Sequence, residues 1–434
     1  MKPILITAGT RPEAIKIAPI IKELQKQNVE FTFVWSGQHY DYEMSKIFFE
    51  QLELPEPDEN LDIRSGTHAE QTAKAMITLE KTIQKHKPSI VISEGDTNTV
   101  AATAIASAKC LVPFAHVEAG LRSWNMTMPE EINRKIADEI ASLHFAPTKL
   151  AALNLLFEGT SPKGLHITGN TIVDVIYRYE SVAKEVGERL LSELNLEREE
   201  YLLVTIHRAE NVDNLERLKN ILTALNKLSE EFKLVFPIHP RTEKRIIQLG
   251  LNRLMEKTIR LKPLSYFEFM GLLMNCVVVL TDSGGVQEEA FTLKIPTVTI
   301  RYNTERPETL IHGINVLAGA ETQKIIELTY RQIENLSKIK KVQINNPLGD
   351  GHAGKRIAEI LKQAVENRLE IKEPDLRKTP IIKYRLINHQ LIKDFEQVEI
   401  LVEFDETGTP IIHNFCHLYT SPSPRDLSTS RMLS

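Results

Sequence analysis

The sequence predicts an α/β protein made of two doubly wound domains that face each other across a cleft. Short β-branched runs alternate with amphipathic stretches along most of the chain, and they do so in two successive series. Polar and acidic side chains follow the ends of several of these runs, which is where open parallel sheets bind their ligands. Two turns, one near residue 9 and one near residue 284, combine small residues with a helix start, as phosphate-binding turns do.

Composition restricts the class of protein. The 434 residues are 42% hydrophobic and 26% charged, which is typical of a globular protein with more than one domain. The net charge of -5 argues against a nucleic-acid partner, and no apolar run is long enough for membrane insertion. The three cysteines (Cys110, Cys276 and Cys416) form no metal-type pair, so we expect no metal site and a reducing, cytoplasmic location.

The chain opens with a strand followed by a turn of the phosphate-binding type. The apolar run 4–7 leads into the turn 8–13, and Pro12 suits the first turn of a helix. Arg11 and Lys16 place two cations near that helix start. They are explained either by phosphate binding or by ordinary solvated surface charge, and for Lys16 alone the second explanation is the default.

Two later strands in the first half each end at an acid. The run 90–92 leads to Asp96, and the run 113–117 leads to Glu118. Two acids at equivalent strand ends favour a shared ligand site, although Asp96 would also suit the cap of its own helix. Glu130 lies in the first turn of a further predicted helix, where a favourable interaction with the helix dipole is an equally good explanation.

Residues 276–291, in the second half, are the stretch around which we expect the site to be organised. The buried run 277–280 is followed by a Thr-Asp-Ser turn, and then by Gly284 and Gly285, which allow a bound group to approach the backbone closely. A helix begins there, and its first turns place Glu289 within reach of a ribose hydroxyl. Taken alone, such a corner is more often an ordinary strand–turn–helix connection.

Seven motifs together resemble the non-hydrolysing UDP-N-acetylglucosamine 2-epimerases. They are GTRPEAIK (9–16), GDT (95–97), HVEAGLR (116–122), PEEINR (129–134), ITGNT (167–171), TDSGGVQEE (281–289) and TERPE (304–308). The match runs in order from residue 1 to about 365 with little insertion or deletion. The resemblance implies the glycosyltransferase-B fold, in which two Rossmann-like domains hold a nucleotide sugar between them.

The resemblance also implies an activity and a set of site residues. The family interconverts UDP-GlcNAc and UDP-ManNAc without a redox cofactor, by eliminating UDP and adding it back to the resulting alkene. The implied catalytic residues are Asp96, Glu118, Glu130 and His207. The implied contacts with UDP are Arg11, Lys16, Ser283, Gly284, Gly285, Glu289 and Arg306, and a regulatory UDP-GlcNAc site would include Gln38, Arg208 and His239. Which acid removes the proton and which returns it stays open, and a homodimer is implied only by the resemblance.

Alternative functions remain open from the sequence. A hydrolysing epimerase would release ManNAc and UDP, a glycosyltransferase of the same fold would need an acceptor pocket, and a sensor would bind the nucleotide sugar without catalysis. Another 2-acetamido sugar, such as a diacetamido uronic acid, is a further substrate to consider. Three acids and a histidine retained in order favour the epimerase.

The predicted domain organisation has five parts. Residues 1–170 form the N-terminal domain, 171–345 the UDP-binding domain, and 346–365 a helix that crosses back onto the first domain. Residues 366–415 are an extension of unknown role in which two apolar runs, 398–404 and 410–414, suggest a β-hairpin. Residues 416–434 resemble a translated sequencing-library adapter, and their composition predicts a disordered, non-native tail.

Overall fold

Two parallel β-sheets form the centres of the computed structural model, which describes residues 3–37 and 49–369, and the backbone alone of 400–404 and 410–415. The first sheet has seven strands in the order β3-β2-β1-β4-β5-β6-β7, and the second has six in the order β10-β9-β8-β11-β12-β13. In each sheet the chain winds outward from a central strand in one direction and then crosses over to continue in the other. The predicted α/β class with two doubly wound sheets is confirmed.

The first sheet and its helices come from the N-terminal part of the chain. Its strands are β1 (Ile4–Ala8), β2 (Phe31–Trp35), β3 (Glu59–Asn60), β4 (Ile90–Glu94), β5 (Phe114–Val117), β6 (Leu143–Ala146) and β7 (Leu165–Ile167). The accompanying helices are α1 (Arg11–Lys26), α2 (His68–His86), α3 (Asn98–Lys109), α4 (Pro129–Ile140) and α5 (Lys149–Phe157). Strands β1 and β4 are buried along their whole length, because helices cover both faces of the sheet.

The second sheet follows a long connecting helix. This helix is α6 (Thr171–Leu194), and the strands are β8 (Tyr201–Thr205), β9 (Lys233–Pro237), β10 (Thr258–Leu261), β11 (Val278–Thr281), β12 (Thr297–Thr299) and β13 (Asn315–Leu317). The helices are α7 (Ala209–Val212), α8 (Leu215–Leu228), α9 (Pro240–Gln248), α10 (Tyr266–Asn275), α11 (Gly284–Thr292) and α12 (Thr322–Lys341), with 3-10 turns at Asn252–Met255 and Pro307–Gly313. The corner at residues 276–291 is therefore a strand, turn and helix, as predicted.

The last helix, α13 (Ala353–Glu366), packs against α1 at the start of the chain. The contact is close at Gly354, where an added Cβ would lie 2.6 Å from the Pro19 Cβ. Asp174 of α6 caps α13 by accepting hydrogen bonds from the backbone N–H groups of Ala353 (3.1 Å) and Gly354 (2.8 Å). The α13 helix is thus attached to both α1 and α6.

The predicted hairpin in the extension is confirmed, because β14 (Ile400–Phe404) pairs antiparallel with β15 (Pro410–Phe415). Gln38 and the predicted tail 416–434 lie outside the described residues. Among the helices that are described, none combines the length and the apolar character needed to span a bilayer.

Candidate functional site

A buried lysine joins the carboxyl ends of the two sheets. Lys16 of α1 hydrogen-bonds Glu118, and its Nζ lies 3.6 Å from Glu94 Oε1 and 3.2 Å from Glu288 Oε2. Glu94 ends β4 and Glu118 follows β5, whereas Glu288 belongs to α11 beside the second sheet. The four side chains, which we call the lysine cluster, therefore form ion pairs between the two domains.

Glu118 occupies the centre of the lysine cluster. Its backbone has φ +69°, a left-handed conformation that costs a non-glycine residue about 1–3 kcal/mol and is often found at functional sites. Asn170 Nδ2 donates to Glu118 Oε1 and to Glu288 Oε1, both at 3.0 Å. Burial alone would raise the pKa of Glu118, but the charges of Lys16 and Arg306 outweigh it and lower the pKa to about 2. Glu118 is therefore an ionised carboxylate at neutral pH.

Arg306 is a second buried cation, which lies beside the lysine cluster. Its Nε donates to Glu288 Oε1 at 2.8 Å, and its Nη2 lies 3.5 Å from Glu118 Oε1. Its Nη1 pairs with Glu305 at 2.6 Å, and the other oxygen of Glu305 lies 2.8 Å from Arg301 Nη2. Sequence reasoning placed Arg306 at the site but missed Glu94, Glu288, Glu305 and Arg301. Glu288 and Glu305 stand inside the motifs quoted above, and those motifs could have pointed to them. Glu94 and Arg301 stand outside the motifs.

Asp96 and Glu130 form a more accessible part of the same interdomain surface. The Asp96 carboxylate pairs with Arg134 of α4, and the Glu130 carboxylate pairs with Arg208, which follows β8. Their side chains are 24% and 31% exposed, against 6% for Glu118. Thr97, not Asp96, occupies the N-cap position of α3, so helix capping does not explain Asp96. Both carboxylates are therefore more exposed than that of Glu118.

His207 follows β8 and lies beside a buried acid, Asp282. Its Nδ1 lies 3.4 Å from Asp282 Oδ1, and Asp282 also accepts the backbone N–H groups of His207 and Arg208. Desolvation lowers the pKa of His207 and the Arg208 charge lowers it further, which outweighs the opposing effect of Asp282. The imidazole is therefore neutral at neutral pH. His239, at the N-cap of α9, lies with its ring centroid 6.5 Å from that of His207.

The start of α11 borders open space. An added Cβ on Gly285 would meet no atom within 4 Å, whereas one on Gly284 would lie 2.8 Å from Glu305 Oε1 and 3.0 Å from Arg306 Cζ. Ser283 is at the N-cap, and its side chain makes no capping hydrogen bond to the helix. The N-terminal N–H groups of α11 and its dipole are thus suited to an anion. Glu289, on the next turn, is buried, and burial with the nearby Glu288 charge raises its pKa to about 8.

A second buried acid fixes the first turn of the chain. Glu13 Oε2 accepts hydrogen bonds from the backbone N–H groups of Gly9 (2.6 Å) and Thr10 (2.8 Å), and its Oε1 accepts from Thr97 Oγ1 (2.5 Å). Burial raises the pKa of Glu13 to about 7 in spite of these hydrogen bonds. The half-buried Arg11 begins α1 directly after this turn. Glu13 therefore holds the Arg11 turn against the turn that follows β4.

A family model described as UDP-N-acetylglucosamine 2-epimerase matches residues 22–362. This chain belongs to that family. The predicted membership is confirmed by a Methanocaldococcus jannaschii UDP-N-acetylglucosamine 2-epimerase, 46% identical over 363 residues, which are 82% of this chain and 98% of the relative. A Pseudomonas aeruginosa UDP-2,3-diacetamido-2,3-dideoxy-D-glucuronate 2-epimerase is 41% identical over 362 residues, covering 82% of this chain and 99% of the relative.

Solved structures of the epimerase family have the same fold. The crystal structure of the M. jannaschii enzyme in complex with UDP-GlcNAc and UDP superposes with a TM-score of 0.76 at 45% identity, covering 84% of this chain and all (100%) of that one. The Neisseria meningitidis enzyme bound to UDP-GlcNAc gives a TM-score of 0.77 at 34% identity, covering 83% and 100%. The predicted glycosyltransferase-B fold is confirmed.

Proposed function

We propose that this protein interconverts UDP-N-acetylglucosamine and UDP-N-acetylmannosamine by eliminating UDP and adding it back at the sugar. Membership in the 2-epimerase family supports this reaction over hydrolysis or binding without turnover. The single observation that carries the mechanism is Glu118, an ionised carboxylate held between Lys16 and Arg306 in the interdomain cluster. No redox cofactor or metal is required by this chemistry.

Departure of UDP leaves negative charge on the diphosphate, and the proposed binding residues supply positive charge and N–H donors. Arg11 and Arg306 are the cations, and the N-terminus of α11 offers Ser283, Gly284 and Gly285. Lys16 contributes its charge from within the lysine cluster. We assign Glu289 to the ribose, because a carboxyl on the second turn of α11 projects from the helix whose start would hold the diphosphate.

Loss and return of the carbon 2 proton need acids near the sugar. Glu118 is a base, and Asp96 and Glu130 are two further acids that are open to the cleft. Inversion at carbon 2 requires proton transfer on both faces of the sugar, so at least two proton donors or acceptors take part. The neutral His207 lies on the second domain, where it can donate to the departing UDP or accept from it.

A regulatory site is a separate proposal. Arg208 pairs with the catalytic candidate Glu130, and His239 lies beside His207. A second UDP-GlcNAc bound at Arg208 and His239, with Gln38, would therefore act on catalytic groups directly. Initial rates measured against UDP-GlcNAc concentration test this: a sigmoidal curve that becomes hyperbolic in Arg208→Ala supports it, and a hyperbolic curve in wild type contradicts it.

Proton NMR of the purified protein with UDP-GlcNAc in deuterated water tests the reaction. Formation of UDP-ManNAc with deuterium at carbon 2 is expected. Accumulation of free ManNAc and UDP would establish the hydrolysing reaction instead. If UDP-GlcNAc does not react, turnover of the diacetamido glucuronate would identify the substrate named for the Pseudomonas relative.

Two further properties are proposed from the family and from cysteine use. The protein is a homodimer, which light scattering during size-exclusion chromatography tests by mass. It acts in the cytoplasm, consistent with the free Cys110 and Cys276. Cell fractionation tests the location.

A further inference from the structure

Glu94 is a buried carboxyl that the assignments above do not use. It ends β4, its side chain is 2% exposed, and its Oε1 accepts no hydrogen bond from any described residue. The nearest cation is Lys16, with Nζ 3.6 Å from that oxygen. Glu94 therefore lies in the lysine cluster without the hydrogen bonds that the other two carboxylates of the cluster accept.

The cluster contains more acid than base. Three carboxylates, those of Glu94, Glu118 and Glu288, face the ammonium of Lys16, and Arg306 supplies positive charge that it shares with Glu305. A buried carboxylate without a partner is costly, so the cluster is more stable with one carboxyl protonated.

The hydrogen bonds of the cluster favour Glu94 as the carboxyl that carries the proton. Glu118 and Glu288 both accept a hydrogen bond from Asn170, and each accepts another from a cation, Lys16 or Arg306. At its Oε1, Glu94 accepts neither kind of hydrogen bond from the described residues. Burial raises the pKa of Glu94 well above its ordinary value, and Glu118, Glu13 and Asp96 raise it further against the effect of Lys16.

The reaction proposed above requires a stored proton. Inversion at carbon 2 removes a proton from one face and delivers a proton to the other, so an acid has to be protonated before each turnover begins. Glu118 is ionised at neutral pH. In the direction of the reaction in which it has to donate a proton to the sugar, a nearby group must first supply that proton.

We propose that Glu94 stores this proton and exchanges it with Glu118 through Lys16. In the transfer, an N–H bond of the Lys16 ammonium breaks as its proton joins Glu118, and the Glu94 carboxyl proton forms a new N–H bond to Nζ. One proton moves from Glu94 to Glu118, and Lys16 stays an ammonium. When Glu118 instead acts as the base and takes a proton from the sugar, the reverse transfer refills Glu94. Glu94 does not touch the sugar, so it is a positioning residue for the proton rather than a catalytic one.

The test compares epimerisation with a partial reaction that needs no stored proton. Elimination followed by re-addition of UDP, with a proton returned to the same face of carbon 2, uses one group both to remove and to restore the proton. This return is measured as exchange of an ¹⁸O label between the bridging and non-bridging positions of the unconverted sugar nucleotide.

Glu94→Gln keeps the shape of the side chain and removes the stored proton. We expect epimer formation to fall by about 10²-fold, while label exchange in both sugars and the Kd for UDP stay near the wild-type values. Glu94→Asp retains a carboxyl and is expected to recover part of the rate. Ser93→Ala, at the preceding buried position of β4, is the control for disturbance of the strand and is expected to be fully active.

Three results would overturn the proposal: unchanged epimerisation in Glu94→Gln, a parallel loss of epimerisation and label exchange, or a change in KM alone. If Glu94→Gln does not fold, infrared spectra of wild type and Glu94→Asp decide instead. A protonated-carboxyl band at neutral pH that differs between the two supports the proposal, and identical spectra contradict it. This inference rests on the proposed function, but the two fail differently, because wild-type protein that neither epimerises nor exchanges label contradicts the function itself.

Discussion

Lys16 of α1 and Glu288 of α11 form an ion pair of 3.2 Å that joins the two domains. Both side chains are buried, and Glu288 also accepts from Arg306 (2.8 Å) and Asn170 (3.0 Å). A carboxylate in this position neutralises two cations that come from opposite sides of the cleft. The interdomain contact therefore depends on charge balance as well as on apolar packing.

Glu288→Gln is expected to lower the free energy of unfolding by about 3–5 kcal/mol, because it leaves two buried cations with less compensation. Chemical denaturation followed by circular dichroism measures this. Glu334→Gln, on the exposed face of α12, is the control and is expected to stay within about 0.5 kcal/mol of wild type. Equal stability of the two variants would show that the buried ion pair contributes little.

Glu118→Gln is expected to lower kcat by about 10²–10⁴-fold with little change in KM, because an amide cannot accept the carbon 2 proton. Steady-state kinetics in both directions measure this. Glu118→Asp, which keeps the charge, should retain more activity than the amide. A rise in KM without a fall in kcat would assign Glu118 to binding alone.

The same substitution changes the response of the fold to acid. The pKa of Glu118 is about 2 in the folded protein and 4.5 for the ordinary group, so its carboxylate adds stability above pH 4.5. That stability is lost as the pH falls from 4.5 towards 2. Glu118→Gln should therefore lose less unfolding free energy than wild type over this interval. Parallel curves for the two proteins would contradict the lowered pKa.

Gly285→Ala and Gly284→Ala are expected to differ, although the glycines are adjacent. The new methyl at 285 meets no protein atom within 4 Å, so thermal stability should be kept while UDP affinity falls by about tenfold or more. The methyl at 284 would displace Arg306 and Glu305, so both stability and affinity should fall. Calorimetry and isothermal titration with UDP measure the pair. Wild-type UDP affinity in Gly285→Ala would place the diphosphate elsewhere.

The pKa of His207 should shift in opposite directions in two variants. Arg208→Ala removes a cation and should raise the pKa, whereas Asp282→Asn removes an anion and should lower it further. NMR titration of the imidazole signal measures both, and the two variants control for each other. Shifts of the same sign would mean that solvation, not charge, governs His207.

Some features of the structure were predictable from the sequence, and others were not. The turn at Gly284 and Gly285, the strand-end positions of Asp96 and Glu118, and the hairpin in the extension were predictable, because each depends on residues close together in the chain. Glu94 was not recognised as a site residue, because a carboxyl at a strand end becomes unusual only when Lys16 and Glu118 are seen around it. Taken by itself, Lys16 had solvated surface charge as its default explanation, but it is buried among three acids.

The sequence by itself determined the family, the two-domain α/β class and the strand ends that carry acids, because these follow from local periodicity and from ordered motifs. Only the tertiary structure decided which charges are paired, which carboxyl is left without hydrogen-bond donors, and which groups from the two domains meet. Electrostatic energies depend on distance and burial in space, and residues 94, 118, 288 and 306 come together only when both sheets have folded and packed.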